Sequence, residues 1–224
     1  MFTRRLGHTD IEVSGVGFGC WPIGGPFFLD GYPDGWGDVD DNESIRAIER
    51  ALANGVNFFD TADVYGTGHS EEILGRALKG RRHEAVIATK FGFTYDETSR
   101  NVYTKIDVSP NYINEACERS LRRLGTDYID LYQIHPGVVP RERLDSMIYS
   151  LEQLRKKGWI RAYGWSTEDA EAAELFAKRS FAAAFQHPLN VVSDSPMVEV
   201  CERHGLASIN NAPLAMGLLS GKFN

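Results

Sequence analysis

The 224-residue sequence is short of several things, and each shortage removes a class of function. It has three cysteines, Cys20, Cys117 and Cys201, an odd number spread far apart along the chain. No Cys or His pair has metal-ligand spacing; His69, His83, His187 and His204 are scattered, and reduced thiols in a cytoplasm are the plain reading. Positive charge is scarce. Lys and Arg number 24 against 31 Asp and Glu, a net charge of −7, so nonspecific nucleic-acid binding, which needs a basic face, is not expected. No apolar run approaches the ~20 residues of a membrane-spanning helix. The opening "MFTRRLGHTDIEV" has no apolar signal core, so neither a membrane nor an export role is expected. "GVGFGCWPIGG" (15–25) does not place G-x-G-x-x-G directly before a helix, and "GTGHSE" (66–71) follows no Walker or kinase pattern. What remains is ordinary soluble material, 42% hydrophobic and 25% charged, long enough for a single domain over 1–224 with a substantial core.

Strand-like and helical runs alternate along most of that length. After a polar N-terminal stretch, "VSGVGFGC" (13–20) reads as a first strand. Residues 20–42 follow as a long loop containing Trp21, Phe27, Phe28, Tyr32 and Trp36, either a binding loop or lid, or a disordered insertion. The stretch 40–55 has an acidic start, apolar residues at Ile45, Ile48 and Leu52, and Gly55 at its end, which predicts a helix. "VNFFD" (56–60) reads as a strand and "SEEILGRALKG" (70–80) as a helix capped by Ser70. "AVIATK" (85–90) is the next strand, and 109–125 a helix with Ser109 as N-cap, Pro110 at its first position and Gly125 as its stop. Strands at 129–135, 160–166, 181–186 and 207–211 then alternate with helices over 141–157, 168–179 and 196–204. The strands are continuous apolar runs, as in parallel sheets covered by helices. About seven such strands fit a parallel barrel or an open doubly wound sheet equally well.

Several of these runs end on chemistry. Asp60, Lys90 and His135 close three of them, and Tyr65 follows Asp60 by five positions. In a parallel barrel all strand ends face one mouth, so the four side chains would converge. A phenol has an ordinary pKa near ~10. The Lys90 ammonium would stabilise phenolate and lower that value, Asp60 would hold Lys90 charged, and His135 would donate a hydrogen bond to a substrate carbonyl. Such a set suits the protonation of an oxygen as hydride arrives at carbon. Taken singly, Asp60 could be a strand-end cap, Lys90 a solvated charge or a Schiff-base amine, and His135 a structural residue before Pro136.

"FFDTADVYGTGHSEEILGRAL" (58–78), the "ATK" ending at Lys90, "DYIDLYQIHP" (127–136) and "PLAMGLLSGK" (213–222) together resemble the aldo-keto reductase family, in its order and over nearly the whole chain. The resemblance implies a (β/α) TIM-type barrel, incomplete here at about seven strands because the last βα unit is missing. It implies an oxidoreductase that reduces an aldehyde or ketone with NADPH, using Asp60, Tyr65, Lys90 and His135. It also implies that Trp21 lies beside the substrate and that Ser166, Thr167 and Gln186 contact the nicotinamide. Asn211 stands where many members stack an aromatic ring. Leu214, Gly217, Leu218 and Lys222 belong to a segment that would wrap the pyrophosphate. The family's residues for the adenosine 2′-phosphate follow an eighth strand, so weak NADPH binding is expected. A sheet lacking that strand would leave open edges, which predicts a homodimer or larger oligomer through the open side, unless the N-terminal segment or residues 217–223 fold across it. Two other functions stay open: a non-catalytic, degenerate member, and a lyase working through Lys90.

Overall fold

The computed structural model describes residues 1–222. The chain opens with strands β1 (Thr3–Arg5) and β2 (Glu12–Ser14), then β3 (Phe18–Gly19), β4 (Phe27–Leu29) and β5 (Tyr32–Asp34). Helix α1 (Asp41–Ala53) leads to β6 (Phe58–Asp60), and α2 (His69–Ala77) leads to β7 (Val86–Phe91). Strands β8 (Phe93–Asp96) and β9 (Asn101–Ile106) precede α3 (Pro110–Leu124) and β10 (Ile129–Ile134). Helix α4 (Leu144–Lys156), β11 (Ile160–Ser166), α5 (Ala170–Arg179), β12 (Ala184–Pro188), α6 (Met197–His204) and β13 (Ala207–Asn211) complete the order.

The helix starts follow their local chemistry. Asp40 caps α1 by accepting from the amides of Asn42 and Glu43 at 2.7 and 3.1 Å. Ser109 caps α3 with Pro110 at its first position, and Gly125, at φ 62°, ends it in the left-handed region that glycine tolerates. The expectation that Ser70 caps α2 is not met. The helix already begins at His69, and the Ser70 hydroxyl instead bonds the Cys20 carbonyl at 2.7 Å and the Thr61 hydroxyl at 2.8 Å.

Seven parallel strands form one sheet in the order β13-β12-β11-β10-β7-β6-β3. Their parity sorts the core into two layers, because alternate side chains leave a strand on opposite faces. Phe58, Val86, Ala88, Leu131, Ala162 and Ala184 pack together on one face, inside the curl of the sheet. Phe59, Ile87, Phe91, Tyr132, Ile134, Tyr163, Trp165 and Phe185 pack outward with α2, α3, α4 and α5. Burial on both faces explains why the strands read as continuous apolar runs.

Three stretches depart from the sequence reading. The polar N-terminal stretch is the antiparallel hairpin β1–β2, whose connecting Leu6 and Ile11 are buried against the inner layer and fill the end of the curl opposite the strand termini. The first strand is shorter than 13–20, since Ser14 belongs to the hairpin and Phe18 and Gly19 alone pair with β6. Residues 20–42 are ordered: β4 and β5 join β8 and β9 in a four-stranded sheet of order β5-β4-β9-β8, so the disordered alternative is wrong. Local pattern missed this sheet because its partners lie far apart in sequence; Phe28 opposes Asn101 and Leu29 opposes Val102. Among the described residues no helix is long and apolar enough to cross a membrane.

Candidate active site

Inward parity builds the site. Continuing the inner layer by two residues along β6, β7, β10 and β12 gives Asp60, Lys90, Gln133 and Gln186, all at the carboxyl ends of the strands. Lys90 is fully buried, and its ammonium has three hydrogens and three acceptors. It donates to Asp60 Oδ2 at 2.7 Å, to the Thr61 carbonyl at 2.9 Å and to Tyr65 Oη at 3.2 Å. The other Asp60 oxygen accepts from Gln186 Nε2 at 2.9 Å and Gln133 Nε2 at 3.3 Å. The strand ends of β10 and β12 thus supply the amides on Asp60, while Thr61 and Tyr65, just past β6, complete the shell of Lys90.

Tyr65 is brought to Lys90 by an unusual turn. Gly66, Thr67 and Gly68 follow it at φ 62°, 55° and 105°. A β-branched residue in that region is strained, and the Thr67 hydroxyl answers with a 2.7 Å bond to the Gly66 carbonyl. Gly24 and Gly66 pack backbone to backbone. A Cβ on Gly24 would lie 2.7 Å from the Tyr65 carbonyl carbon, and one on Gly66 would collide with the Gly24 carbonyl oxygen.

Aromatic rings enclose the phenol. Trp21 stacks on Tyr65 at 6.1 Å and meets Trp36 edge-on at 5.5 Å. His135 sits T-shaped to Tyr65 at 5.7 Å and to Phe93 at 5.3 Å. Its Nδ1 is buried without a partner. The loop after it is tied down by Trp165 Nε1 on the Pro136 carbonyl at 2.7 Å and by the Thr167 hydroxyl on the Gly137 carbonyl at 2.5 Å.

The electrostatics correct one expectation. Lys90 was expected to lower the Tyr65 pKa; burial outweighs it, and the phenol lies above its usual value despite the ammonium. Burial also works against the charge on Lys90, but Asp60 and then Tyr65 overcome it and raise the ammonium pKa. Burial, with Lys90 nearby, holds His135 well below the usual imidazole value. At neutral pH the set is thus a protonated phenol, a charged amine and a neutral imidazole. A charged, hydrogen-bonded Lys90 has no lone pair for a Schiff base, which argues against the lyase.

The remaining positions fall into two groups. Ser166, Gln186 and Asn211 lie at or near the ends of β11, β12 and β13, with Ser166 paired to Gln186 in register. The Thr167 hydroxyl donates to the Gly137 carbonyl at 2.5 Å and accepts from the Asp169 amide at 3.0 Å, which ties it to the loop after His135. Leu214, Gly217, Leu218 and Lys222 lie beyond β13, where Leu214, Leu218 and Lys222 are exposed; of residues 217–223, Phe223 falls outside the described residues. Sequence reasoning missed Gln133 and Phe93, and named Trp36 only as part of a possible binding loop. For Gln133 a signal exists: it is a polar residue in an apolar strand, at the same parity as inward Leu131.

A family profile, the aldo/keto reductase family, matches residues 17–224. The chain belongs to that family. Among curated proteins, the aldo/keto reductase chain is 34% identical over 224 residues to the uncharacterized oxidoreductase YqkF of Bacillus subtilis, covering 99% of its own length and 68% of that protein. Its fold is similar to that of the solved aldo-keto reductase AKR11C1 from Bacillus halodurans, holo form, with a TM-score of 0.87, 34% identity, and coverage of 99% of this chain and 70% of that one. An aldo-keto reductase from Klebsiella pneumoniae, solved in complex with NADPH, matches with a TM-score of 0.76 at 28% identity, covering 98% and 70%. This aldo/keto reductase chain thus spans about two thirds of the length of its relatives.

Proposed function

We propose that the chain reduces an aldehyde or ketone to an alcohol, with Tyr65 as the general acid and NADPH as the hydride donor. The observation that carries this reading is the direction of the hydrogen bond between Lys90 and Tyr65. Lys90 is the donor at 3.2 Å, so the phenol oxygen accepts there and its own proton is free to go to a substrate oxygen. As that proton leaves, negative charge develops on Oη beside an ammonium already in place, which needs no reorganisation. Asp60 keeps Lys90 charged and, through Gln133 and Gln186, fixed in position. His135, neutral, donates one ring hydrogen toward the same carbonyl and so favours charge on oxygen without competing for the proton. Trp21, Trp36 and Phe93 provide an apolar wall that keeps water from the reacting oxygen.

NADPH would supply a hydride to the carbonyl carbon. The residues fit such a group. Ser166, Gln186 and Asn211 offer a hydroxyl and two amides at adjacent strand ends, suited to a carboxamide. Ala212, Ala215, Met216, Gly217 and Gly221 all have φ between 48° and 101°, left-handed positions interspersed along one segment, a geometry whose amides can gather round a phosphate. The relative solved with NADPH supports the choice of nucleotide.

Adding NADPH or NADH with a small aldehyde to the purified chain, and following the loss of reduced-nicotinamide absorbance, tests the proposal. Oxidation that requires both protein and aldehyde is expected. Fluorescence quenching of NADPH reports binding separately. A borohydride-trapped adduct on Lys90 would instead restore the lyase.

A further inference from the structure

Behind the site, between the sheet and its helices, lies a buried ion pair that the chemistry above does not use. Glu71, in the first turn of α2, is fully buried, and its Oε2 accepts from Arg123 Nε at 2.7 Å. Arg123 comes from the last turn of α3, and its side chain is 10% exposed. A pair this deep costs desolvation that its attraction seldom exceeds, so stability alone is a weak reason to keep it. The two helices approach closely enough to form it because Gly75 has no side chain; a Cβ there would sit 2.6 Å from the Leu124 carbonyl oxygen and 2.8 Å from that of Arg123.

The pair reaches the back of three working residues. Glu71 Oε1 accepts from the Thr89 hydroxyl at 2.5 Å, and Thr89 precedes Lys90 on β7, facing outward where Lys90 faces inward. Arg123 packs against Gly68, the last residue of the left-handed turn that carries Tyr65; a Cβ on Gly68 would lie 2.6 Å from Arg123 Cδ and 2.8 Å from its Nε. Arg123 Nη1 bonds Glu97 at 3.2 Å, in the turn between β8 and β9, and β8 carries Phe93 against His135. Asp63 completes the group. It lies two residues before Tyr65, its amide bonds the Lys90 carbonyl at 3.1 Å, and both its carboxyl oxygens, like Arg123 Nη2, are buried without a partner. Burial first, and Glu71 second, push its carboxyl well above the usual carboxylate range, with Arg123 opposing them.

We propose that Glu71 and Arg123 are positioning residues that set the turn of Tyr65, the strand of Lys90 and the hairpin beside His135 at their working separations. The inference rests on the reading of those three as the reacting groups. A misplacement of about 1 Å in such a set can cost roughly a hundredfold in rate. A general loss of packing would lower stability without displacing the Tyr65 phenol, and this separates the two roles.

The test uses the full chain labelled with tyrosine carrying 13C at Cζ, the Tyr65 signal being identified by its loss in Tyr65→Phe. The signal and its alkaline titration are compared in the parent chain, Glu71→Gln, Arg123→Met, Arg123→Lys and Thr89→Val, each checked for folding by circular dichroism. In folded Glu71→Gln and Arg123→Met the Tyr65 signal and its titration midpoint are expected to move. Their kcat should fall roughly 10–100-fold with little change in the KM for NADPH. Arg123→Lys should recover part of both effects. If Glu71→Gln and Arg123→Met do not fold, Thr89→Val, which removes one strut and no charge, decides alone. A Tyr65 signal that stays in place in the folded variants overturns the proposal. A signal that moves in a chain with no reductase activity upholds the positioning and overturns only the reductase reading.

Discussion

Gln186 on β12 donates to Asp60 on β6 at 2.9 Å, although four ladder steps separate the two strands in the sheet. Neighbouring strands lie roughly 4.8 Å apart, so in a flat sheet these residues would be about 19 Å from each other. The bond exists because the sheet curls, and inward side chains at the strand ends meet across the mouth. Gln133, between them in strand order, reaches the same Asp60 oxygen at 3.3 Å. The carboxylate is therefore held by the curvature itself.

The first consequence concerns the phenol. Removing the Tyr65 hydroxyl as Tyr65→Phe removes the proposed acid and leaves the ring stacked on Trp21. Turnover should fall roughly 10²–10⁴-fold, the usual worth of a general acid, while NADPH quenching stays the same. Steady-state kinetics on the purified variant, with unchanged turnover as the outcome that sinks the mechanism, decides it.

Breaking the buried pair should affect folding as well as activity. Lys90 is buried and its charge has few substitutes for Asp60, whose side chain is 17% exposed. Asp60→Ala is expected to cost roughly 3–5 kcal/mol, and Asp60→Asn less, since an amide oxygen can still accept from Lys90. Urea unfolding curves measure both, and equal stability for the parent and Asp60→Ala would contradict the pairing.

The pH profile of turnover follows from the two shifted groups. His135 takes a proton only well below about 6.5, and Tyr65 loses its own only above about 10. Neither changes state between those limits, so kcat should show no limb from His135 or Tyr65 there. A rate limb near neutrality that vanishes in His135→Gln would show that the imidazole titrates after all.

Asp63 gives a stability prediction with the opposite sign to the usual carboxylate. Its folded pKa is raised, so the folded state holds the proton more tightly than the unfolded chain. That contribution is complete below about pH 3.9 and is lost as pH rises through the folded value. Asp63→Asn, which mimics the neutral acid, should therefore gain in melting temperature relative to the parent as the pH is raised from 4 to 8. A difference that stays constant or shrinks over that range would place the Asp63 titration elsewhere.

The glycine contact beneath Tyr65 offers a purely steric test. Gly24→Ala puts a methyl 2.7 Å from the Tyr65 carbonyl carbon and 2.9 Å from the Gly66 nitrogen, both backbone atoms that cannot swing aside. Overpacking of this kind typically costs about 1–3 kcal/mol. The loss should appear in thermal melts together with a fall in kcat.

How much of this was legible without coordinates can be read from individual residues. Local chemistry determined α1 and α3, because Asp40, Ser109, Pro110 and Gly125 act on backbone groups within a few positions. It also determined the parallel strands, since burial on both faces leaves unbroken apolar runs such as Ile129–Ile134. Asp60, Tyr65, Lys90 and His135 were legible because each stands at or just past the end of such a run. Only the tertiary structure decided what depends on distant partners. The pairing of Phe28 with Asn101 ordered a segment that looked like a loop, the hydroxyl of Thr167 went to Gly137, and the amides of Gln133 and Gln186 went to Asp60. Above all it decided the state of Tyr65: the sequence names the ammonium that would lower the phenol's pKa, but the burial that outweighs it is a property of the closed packing around the site, and desolvation is not written in any single stretch of chain.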